Sequence, residues 1–416
     1  VTATRREESI QDIPIAVSAF VGEDLISRGV QDLYGLQEVS PSVSVYSSNS
    51  TSNGGTLRIR GVGTTGNNPG LEAAVGTFID GVYRSRAGQA FSDLIDIERV
   101  EILRGPQGTL FGKNTSAGAL QILTKAPEFE TSGSASFTAG DFGLLKAHLI
   151  STGAITDKLA YRLSLQGHER DGYYEDDFNG DEAYDRRDRY TFKGQLLFAP
   201  SDNFESRLIY DYTEKKEDCC PANFEYFNDT TQGPSATTRG VLSSGHAPGA
   251  IVNDLLEAQG RPTEDANFPS DDYEVGVNFK PFEETEDWGI QNQASWQVND
   301  RMELVSITAY REFEVSRGQD IDFSGADLLQ PQYTAEKFEN FSQELQLTWS
   351  TENSDWLIGA YFYTEDIASD ESIRIGSQGP VYLSRYIVGL ADPTASLLSA
   401  NETATWGTTI GATPIG

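Results

Sequence analysis

After Pro127 the chain settles into segments of about ten residues in which apolar and polar side chains strictly alternate, and this period of two limits the fold more than any other feature. Between Leu159 and His168, Tyr161, Leu163 and Leu165 fall on one face while Arg162, Ser164, Gln166 and His168 fall on the other. Phe192, Leu196 and Phe198 alternate with Lys193 and Gln195 in the same way, as do Leu208, Tyr210 and Tyr212 with Arg207 and Asp211. Successive side chains of a strand point to opposite faces, so each segment reads as a strand with one apolar and one polar face. A barrel with lipid outside and water inside requires this pattern, and a soluble sandwich shares it. The connections separate the two. About nine strands are expected, near 132–140, 144–154, 158–169, 188–199, 204–214, 287–299, 302–317, 336–350 and 354–367. From the second strand on, short turns (156–158, 200–203, 299–301, 351–355) alternate with long acidic or polar loops, and only the first outer connection, 140–143, is short. Membrane barrels show this asymmetry. The 215–286 stretch is far longer than an ordinary connection and marks a functional surface loop. Tyr173, Tyr174, Tyr190, Trp288, Trp349 and Trp356, near strand ends, suit interfacial girdles.

Composition narrows the classes further. A chain of 416 residues suggests two or three domains. Lys+Arg 31 against Asp+Glu 63 gives a formal net charge of -32, which excludes electrostatic nucleic-acid binding. Phe 21, Tyr 18 and Trp 5 are too many aromatics for a disordered acidic chain. No apolar run approaches the roughly 18 residues of a membrane helix, so a spanning chain of this composition must be a barrel. Val1 begins in mid-pattern, with no signal peptide, as expected of a processed precursor. The adjacent Cys219 and Cys220 fit an exposed loop in an oxidising compartment and build no disulfide framework.

The N-terminal third has a different texture. Residues 93–127, DLIDIERVEILRGPQGTLFGKNTSAGALQILTKAP, run from a strand over Ile97 to Leu103 through Gly105, Gly108, Gly112 and Gly118 into a second apolar strand, Gly118 to Thr124. Such glycine density marks backbone that turns tightly or approaches a neighbour closely. Upstream, Pro14 to Phe20 reads as a strand, Glu23 to Gly29 and Val30 to Val39 as short helices, Ser47 to Gly55 as a polar loop and Thr56 to Gly61 as a strand. Together with Ile59-Arg60-Gly61 and the Phe78-Ile79-Asp80-Gly81-Val82 strand, the IERVEILRGPQGTLFG and GALQILTK motifs closely resemble the plug of TonB-dependent outer-membrane receptors.

The resemblance implies a mainly β chain: a small α+β plug domain, residues 1–127, inside a transmembrane antiparallel β-barrel that begins at 128 and continues to 416. The family closes about 22 strands around its plug, so the chain resembles the first half or less of a receptor, stopping in or just after an outer loop. Val1, Thr2 and Ala3 resemble the tail of the TonB box, the segment offered to TonB by strand addition. By the same resemblance Arg60 and Arg104 lock the plug to glutamates on the wall; the alternative is pairing within the plug, with Glu98 or Glu101. An enclosed guanidinium cannot be neutralised and must find carboxylates. Phe341 to Trp349 resembles the family's SQELRL strand, with Gln346 in place of arginine, and alternation turns Glu344 toward the lumen as the candidate partner, or as a hydrated lumen residue. The plug's outward loops are where the family meets its ligand, so Asn49, Asn67, Asn68, Arg84, Arg86 and Gln89 are candidate substrate contacts, the arginines suiting an anionic ferric chelate.

Two nucleotide-like motifs fail on inspection. Gly61 to Gly66 matches GxGxxG, but Asn67-Asn68-Pro69-Gly70 follows where a helix must start. Gly108 to Asn114 has three residues between its glycines where a phosphate loop has four, and Asn114 stands where Ser or Thr belongs. His148, His168 and His246 are scattered, with no metal spacing and no nucleophile elbow, so no enzyme is expected. Acidic loops (175–177, 181–182, 320–327) could ligate Ca²⁺ through oxygen, though they lack the EF-hand pattern. No resident cofactor is expected, iron entering only within the cargo. The expected function is TonB-dependent import across the outer membrane of a Gram-negative bacterium, of a ferric siderophore first, with cobalamin, carbohydrate or another large nutrient as alternatives. Expected partners are TonB, outer-membrane lipid or lipopolysaccharide, and the chelate. The contrasting classes are a non-transporting surface receptor or adhesin and a secreted β-protein.

Overall fold

The computed structural model describes residues 9–11, 13–46, 55–64, 68–90, 93–176, 180–218, 248–260 and 274–391. The inner, N-terminal domain contains β1 (Ala16–Val21), α1 (Gly22–Ser27), α2 (Leu36–Val39), β2 (Val43–Tyr46), β3 (Thr56–Ile59), β4 (Val75–Ile79), β5 (Val82–Arg84), β6 (Ile97–Arg104), α3 (Gly108–Phe111) and β7 (Gly118–Thr124). The wall and its outer loops contain β8 (Ser132–Ala139), β9 (Leu145–Thr156), β10 (Leu159–Arg170), β11 (Tyr174–Asp176), β12 (Gly180–Tyr184), β13 (Arg187–Ser201), β14 (Phe204–Glu217), α4 (Pro248–Glu257), β15 (Glu274–Val275), β16 (Phe282–Asn299), β17 (Met302–Gln319), β18 (Leu329–Ser350), β19 (Asp355–Ile375) and α5 (Gly379–Ala391).

The inner domain is a five-stranded sheet, β1-β6-β7-β4-β5, in which only β4 and β7 run parallel. Its core is apolar: Val100, Ile102, Leu120 and Ile122 from the sheet pack with Leu25, Val30, Leu33 and Leu36 from the helical segment. The expected helix over Val30 to Val39 forms only from Leu36 onward. Asp32 Oδ1 accepts the Gly35 N–H at 3.1 Å, an Asx-type turn that competes with the first helical turn. Two of the clustered glycines, Gly105 and Gly112, take positive φ (93° and 75°), and a Cβ on Gly118 would lie 2.4 Å from the Leu103 carbonyl oxygen. The Asp80-Gly81 pair, with φ of 49° and 77°, makes the tight two-residue turn of the β4–β5 hairpin.

Nine strands of the described residues form the second sheet, an antiparallel meander from β8 at one edge to β19 at the other. Each expected strand is there. Several run further at the long-loop end: β16 starts at Phe282, β18 at Leu329, and β19 continues to Ile375. The added residues of β16 turn Glu284 and Glu286 outward, both exposed. Apolar alternation therefore stops while backbone pairing continues past it.

Burial decides between sandwich and barrel. On β10 the polar face is the buried one, with Arg162 at 5% and Ser164 at 0% exposure, while Leu163 and Leu165 stand 41% and 42% exposed. On β13, Lys193 and Gln195 are buried and Leu196 and Phe198 exposed. A water-soluble sandwich buries its apolar face; this wall turns that face outward, as lipid requires. The secreted-sandwich reading falls on this observation. No helix of the described residues is long and apolar enough to cross a membrane. Aromatics edge the outward face in two belts: Trp349 stacks on Trp356 (5.6 Å) beside a short turn, and Trp288 packs between Tyr210 and Tyr310 (6.5 and 5.6 Å) toward the long loops. On β16, Trp288 and Trp296 are eight residues apart, about 27 Å along a strand, which tilt shortens to roughly 21 Å, the scale of the apolar band.

Leu163→Arg, on the outward face, is expected to lower the folding free energy into lipid vesicles by about 2 to 4 kcal/mol. Exposed Ile155→Arg, next to the turn at 157–158, should cost less than half of that in the same denaturant titration. Equal penalties would place the wall in water.

Candidate functional site: the interface between inner domain and wall

The inner domain sits against the polar, concave face of the wall, and buried charge joins them. Three aspartates reach one half of the wall. Asp96 receives Arg162 Nε and Nη2, each at 2.6 Å, in a two-toothed pair, and Ser164 Oγ at 2.6 Å. Asp93 receives Arg189 Nη1 (3.0 Å) and Gln166 Nε2 (2.6 Å), with His168 Nδ1 at 2.8 Å and Lys146 Nζ at 3.1 Å. Asp80, in the tight turn, accepts the Thr124 N–H at 2.8 Å and faces Lys193 Nζ at 3.2 Å and Arg207 at 3.8 Å. The Asp80 carbonyl oxygen also accepts Gln291 Nε2 at 3.0 Å.

On the other half the signs reverse. Arg84 lies 3.9 Å from Asp211 and is buried, and Arg86 reaches Glu365 at 3.5 Å and donates to the Pro69 carbonyl at 2.6 Å. Gln89 Nε2 approaches Asp287 at 3.4 Å. Asp211 and Asp287 are held by Arg311, at 2.7–2.9 Å and 2.8 Å. Arg311 crosses β16 to reach Asp211, and it does so at Gly289, where a Cβ would lie 2.6 Å from Nη1. Any side chain there would bar the crossing.

The structure corrects the sequence expectations about this lock. Arg104 donates to the Val17 carbonyl (3.2 Å) and, more weakly, that of Ala16 (3.4 Å), since β6 places it opposite β1 at the sheet's end. Glu98 and Glu101 pair instead with Arg99, Glu101 at 2.8 Å. Arg60 is exposed and, among the described residues, makes no ion pair. Glu344 accepts Gln346 Nε2 at 2.6 Å and lines a cavity of about 360 Å³ with Phe78, Tyr83 and Phe111, with neither Arg60 nor Arg104 on it. Of the substrate candidates, Arg84, Arg86 and Gln89 are buried lock residues, turned from the outer water toward wall carboxylates. Asn68 is exposed and accepts the Gly70 N–H at 2.8 Å. Val1, Thr2, Ala3, Asn49, Asn67, Cys219 and Cys220 lie outside the described residues. Sequence reading passed over Asp80, Asp93 and Asp96. The signal was available: Arg162 and His168 lie on the lumen face of a legible strand and demand anionic partners.

The outer loops carry a second set of carboxylates. Asp320 accepts the N–H groups of Asn278 (3.1 Å), Asp322 and Phe323 (3.2 Å each). Asp322 takes the Leu329 N–H (2.8 Å), and Asp327 the N–H and hydroxyl of Ser377. Among the described residues no group of three or more His, Cys, Asp or Glu converges as metal donors. Burial, and then the charge of Asp322, push Asp320 up to about 7, and burial also raises Asp322. Above this hairpin tip, Val252 and Leu256 of α4 pack with Ala326, Leu328 and Tyr382.

A polar inner domain lodged in the lumen of an outward-apolar wall defines a plugged outer-membrane barrel. A family model described as the TonB-dependent receptor plug domain matches residues 9–119. The chain is 31% identical over 133 residues to the ferrioxamine receptor of Yersinia enterocolitica, covering 30% of this chain and 17% of that one. It is 24% identical over 220 residues to the ferrichrome outer membrane transporter/phage receptor of Escherichia coli, covering 52% and 28%. Its fold superposes on the ferric yersiniabactin uptake receptor of Yersinia pestis with a TM-score of 0.67 at 17% identity, covering 87% of this chain and 50% of that one. The inner domain thus matches the plug of TonB-dependent receptors, the wall shares the fold of a receptor barrel, and the chain spans half or less of the length of these relatives.

Two outcomes are expected. Removing one partner of the Asp96–Arg162 pair, by Asp96→Leu or Arg162→Met, should destabilise plug docking by about 3 to 5 kcal/mol, and the double variant should recover most of that loss; protease sensitivity of the plug in detergent-solubilised protein reads it. A carboxyl whose folded pKa is raised contributes stability that is complete below its unfolded value and lost as pH rises through about 7. Amide exchange across 274–281 and 320–328, corrected for intrinsic rate, should therefore be faster at pH 8 than at pH 6, and Asp320→Asn should reduce the difference.

Proposed function

We propose that this chain is the plug and N-terminal wall of an energised importer that takes a ferric siderophore across the outer membrane. The observation that carries the reading is the chemistry of the plug–wall contact. It is made of ion pairs and amide hydrogen bonds, from Asp80, Asp93, Asp96, Arg84 and Arg86, facing a polar lumen. Polar groups that separate can be rehydrated one by one, whereas an apolar seal would expose its whole area at once. Such a stopper holds at rest and yields to a pull. TonB supplies that pull through strand addition at a segment preceding the plug, for which Val1, Thr2 and Ala3 are the candidates. The siderophore class is supported by the relatives named for ferrioxamine, ferrichrome and ferric yersiniabactin. Iron is cargo here, and outer-membrane lipid or lipopolysaccharide surrounds the apolar belt.

Cells carrying the receptor should accumulate iron-55 presented as a hydroxamate, carboxylate or catecholate chelate, and deleting the TonB protein should abolish accumulation while leaving surface binding intact. Uptake that persists without TonB, or binding without uptake in energised cells, would favour a passive surface receptor.

A further inference from the structure

The plug grips the two halves of the wall unequally. Toward β10 and β13 its carboxylates make short contacts: Asp96 with Arg162 at 2.6 Å, Asp93 with Arg189 at 3.0 Å and with His168 at 2.8 Å, and Asp80 with Lys193 at 3.2 Å. Toward β14, β16 and β19 its side chains barely reach: Arg84 to Asp211 at 3.9 Å, Arg86 to Glu365 at 3.5 Å and Gln89 to Asp287 at 3.4 Å. Contacts of that length are weak or are not hydrogen bonds at all. Arg86 and Gln89 are satisfied mainly from inside the plug, Arg86 by the Ser85 and Pro69 carbonyls (2.8 and 2.6 Å) and Gln89 Oε1 by the Arg86 N–H (3.2 Å). Arg84, 3% exposed, keeps Nε and Nη1 buried with no hydrogen bond among the described residues.

The cause lies in the wall. Both oxygens of Asp211 are taken by Arg311, Nη1 at 2.9 Å and Nη2 at 2.7 Å, and the same Nη2 holds Asp287 at 2.8 Å. A two-toothed pair at that range outcompetes a single approach at 3.9 Å, so Arg84 faces a carboxylate that is already engaged. Arg311 comes from β17 and stays with the wall when the plug moves. Asp211 and Asp287 therefore keep a hydrogen-bonded cation whether or not the plug is seated. Arg162 has no such reserve: its 2.6 Å contacts come from the plug's Asp96, and withdrawing the plug there strands a buried charge. We infer that Arg311 is a positioning residue for plug release: it holds Asp211 back from Arg84, so that the plug lets go of β14, β16 and β19 first and pivots on Asp80, Asp93 and Asp96. Gly289 belongs to the device, because a Cβ there would lie 2.6 Å from Arg311 Nη1 and bar its path to Asp211. The inference rests on the energised-import reading of the preceding subsection and adds to it the side on which the stopper opens.

Amide exchange in the full-length protein in detergent, with neither cargo nor TonB present, tests the role of Arg311. Arg311→Met, and independently Gly289→Ala, should return Asp211 to Arg84. Exchange across 82–90 should then slow by roughly ten-fold, the worth of a hydrogen bond between charged groups, while 93–96 keeps its wild-type rate. Arg311→Lys, which retains the charge without the fork, should fall between, and adding Asp211→Asn to Arg311→Met should bring the fast exchange back. In cells, both single variants should lower the maximal rate of iron-55 uptake and leave chelate affinity unchanged, as when a step after binding is slowed. A residue that only braces the fold gives the opposite sign. Exchange across 82–90 that is faster or unchanged in both variants overturns the role of Arg311, while TonB-dependent uptake by the wild type leaves import standing. A wild type with no TonB-dependent uptake overturns the import reading and the release step together.

Discussion

The fold depends on a charge that cannot be given up. Arg162, Arg189 and Arg311 are buried between plug and wall, where a guanidinium stays ionised, so each must meet carboxylate. The plug meets the first two with Asp96 and Asp93, from the turn that leads into β6, and the wall meets the third with Asp211 and Asp287. These contacts set where the plug sheet sits against the wall. They contribute little net stability, since desolvation offsets most of the attraction, but a misplaced plug would leave charges buried and unpaired, which costs far more. Ion pairs therefore act here as registration.

The two halves of that interface carry opposite signs on the plug, aspartates toward β9 to β14 and arginines toward β14 to β19. A plug rotated within the lumen would bring like charges together, so the arrangement specifies orientation as well as depth. Gly289 belongs to the same logic: the absence of a side chain on β16 lets one guanidinium bind carboxylates on two strands. The wall's outward side is simpler. Leu163, Leu165, Leu196 and Phe198 need only be apolar, because lipid imposes no partner.

Strand positions were legible from the chain because lipid on one side and a polar lumen on the other write a period of two into each strand. The ends of β16, β18 and β19 were missed at the outer side, where both faces are polar and alternation by hydropathy vanishes while hydrogen bonding continues. The plug was recognised through its glycine-punctuated motifs, which encode turns such as Asp80-Gly81. Its lock was not. Arg84 and Arg86 read as outward ligand contacts because a loop arginine looks solvated in one dimension, and Asp80, Asp93 and Asp96 carry no local pattern that marks them as partners.

Local patterning thus determined the lipid-facing strands, because backbone geometry converts spacing directly into faces, while the plug was legible through the resemblance of its motifs. Which arginine meets which aspartate was decided only in three dimensions. Asp96 and Arg162 lie 66 positions apart, Asp80 and Lys193 113, and Arg86 and Glu365 279, and no sequence period connects them. They exist because the plug packs against the polar face of a wall that a distant part of the chain supplies.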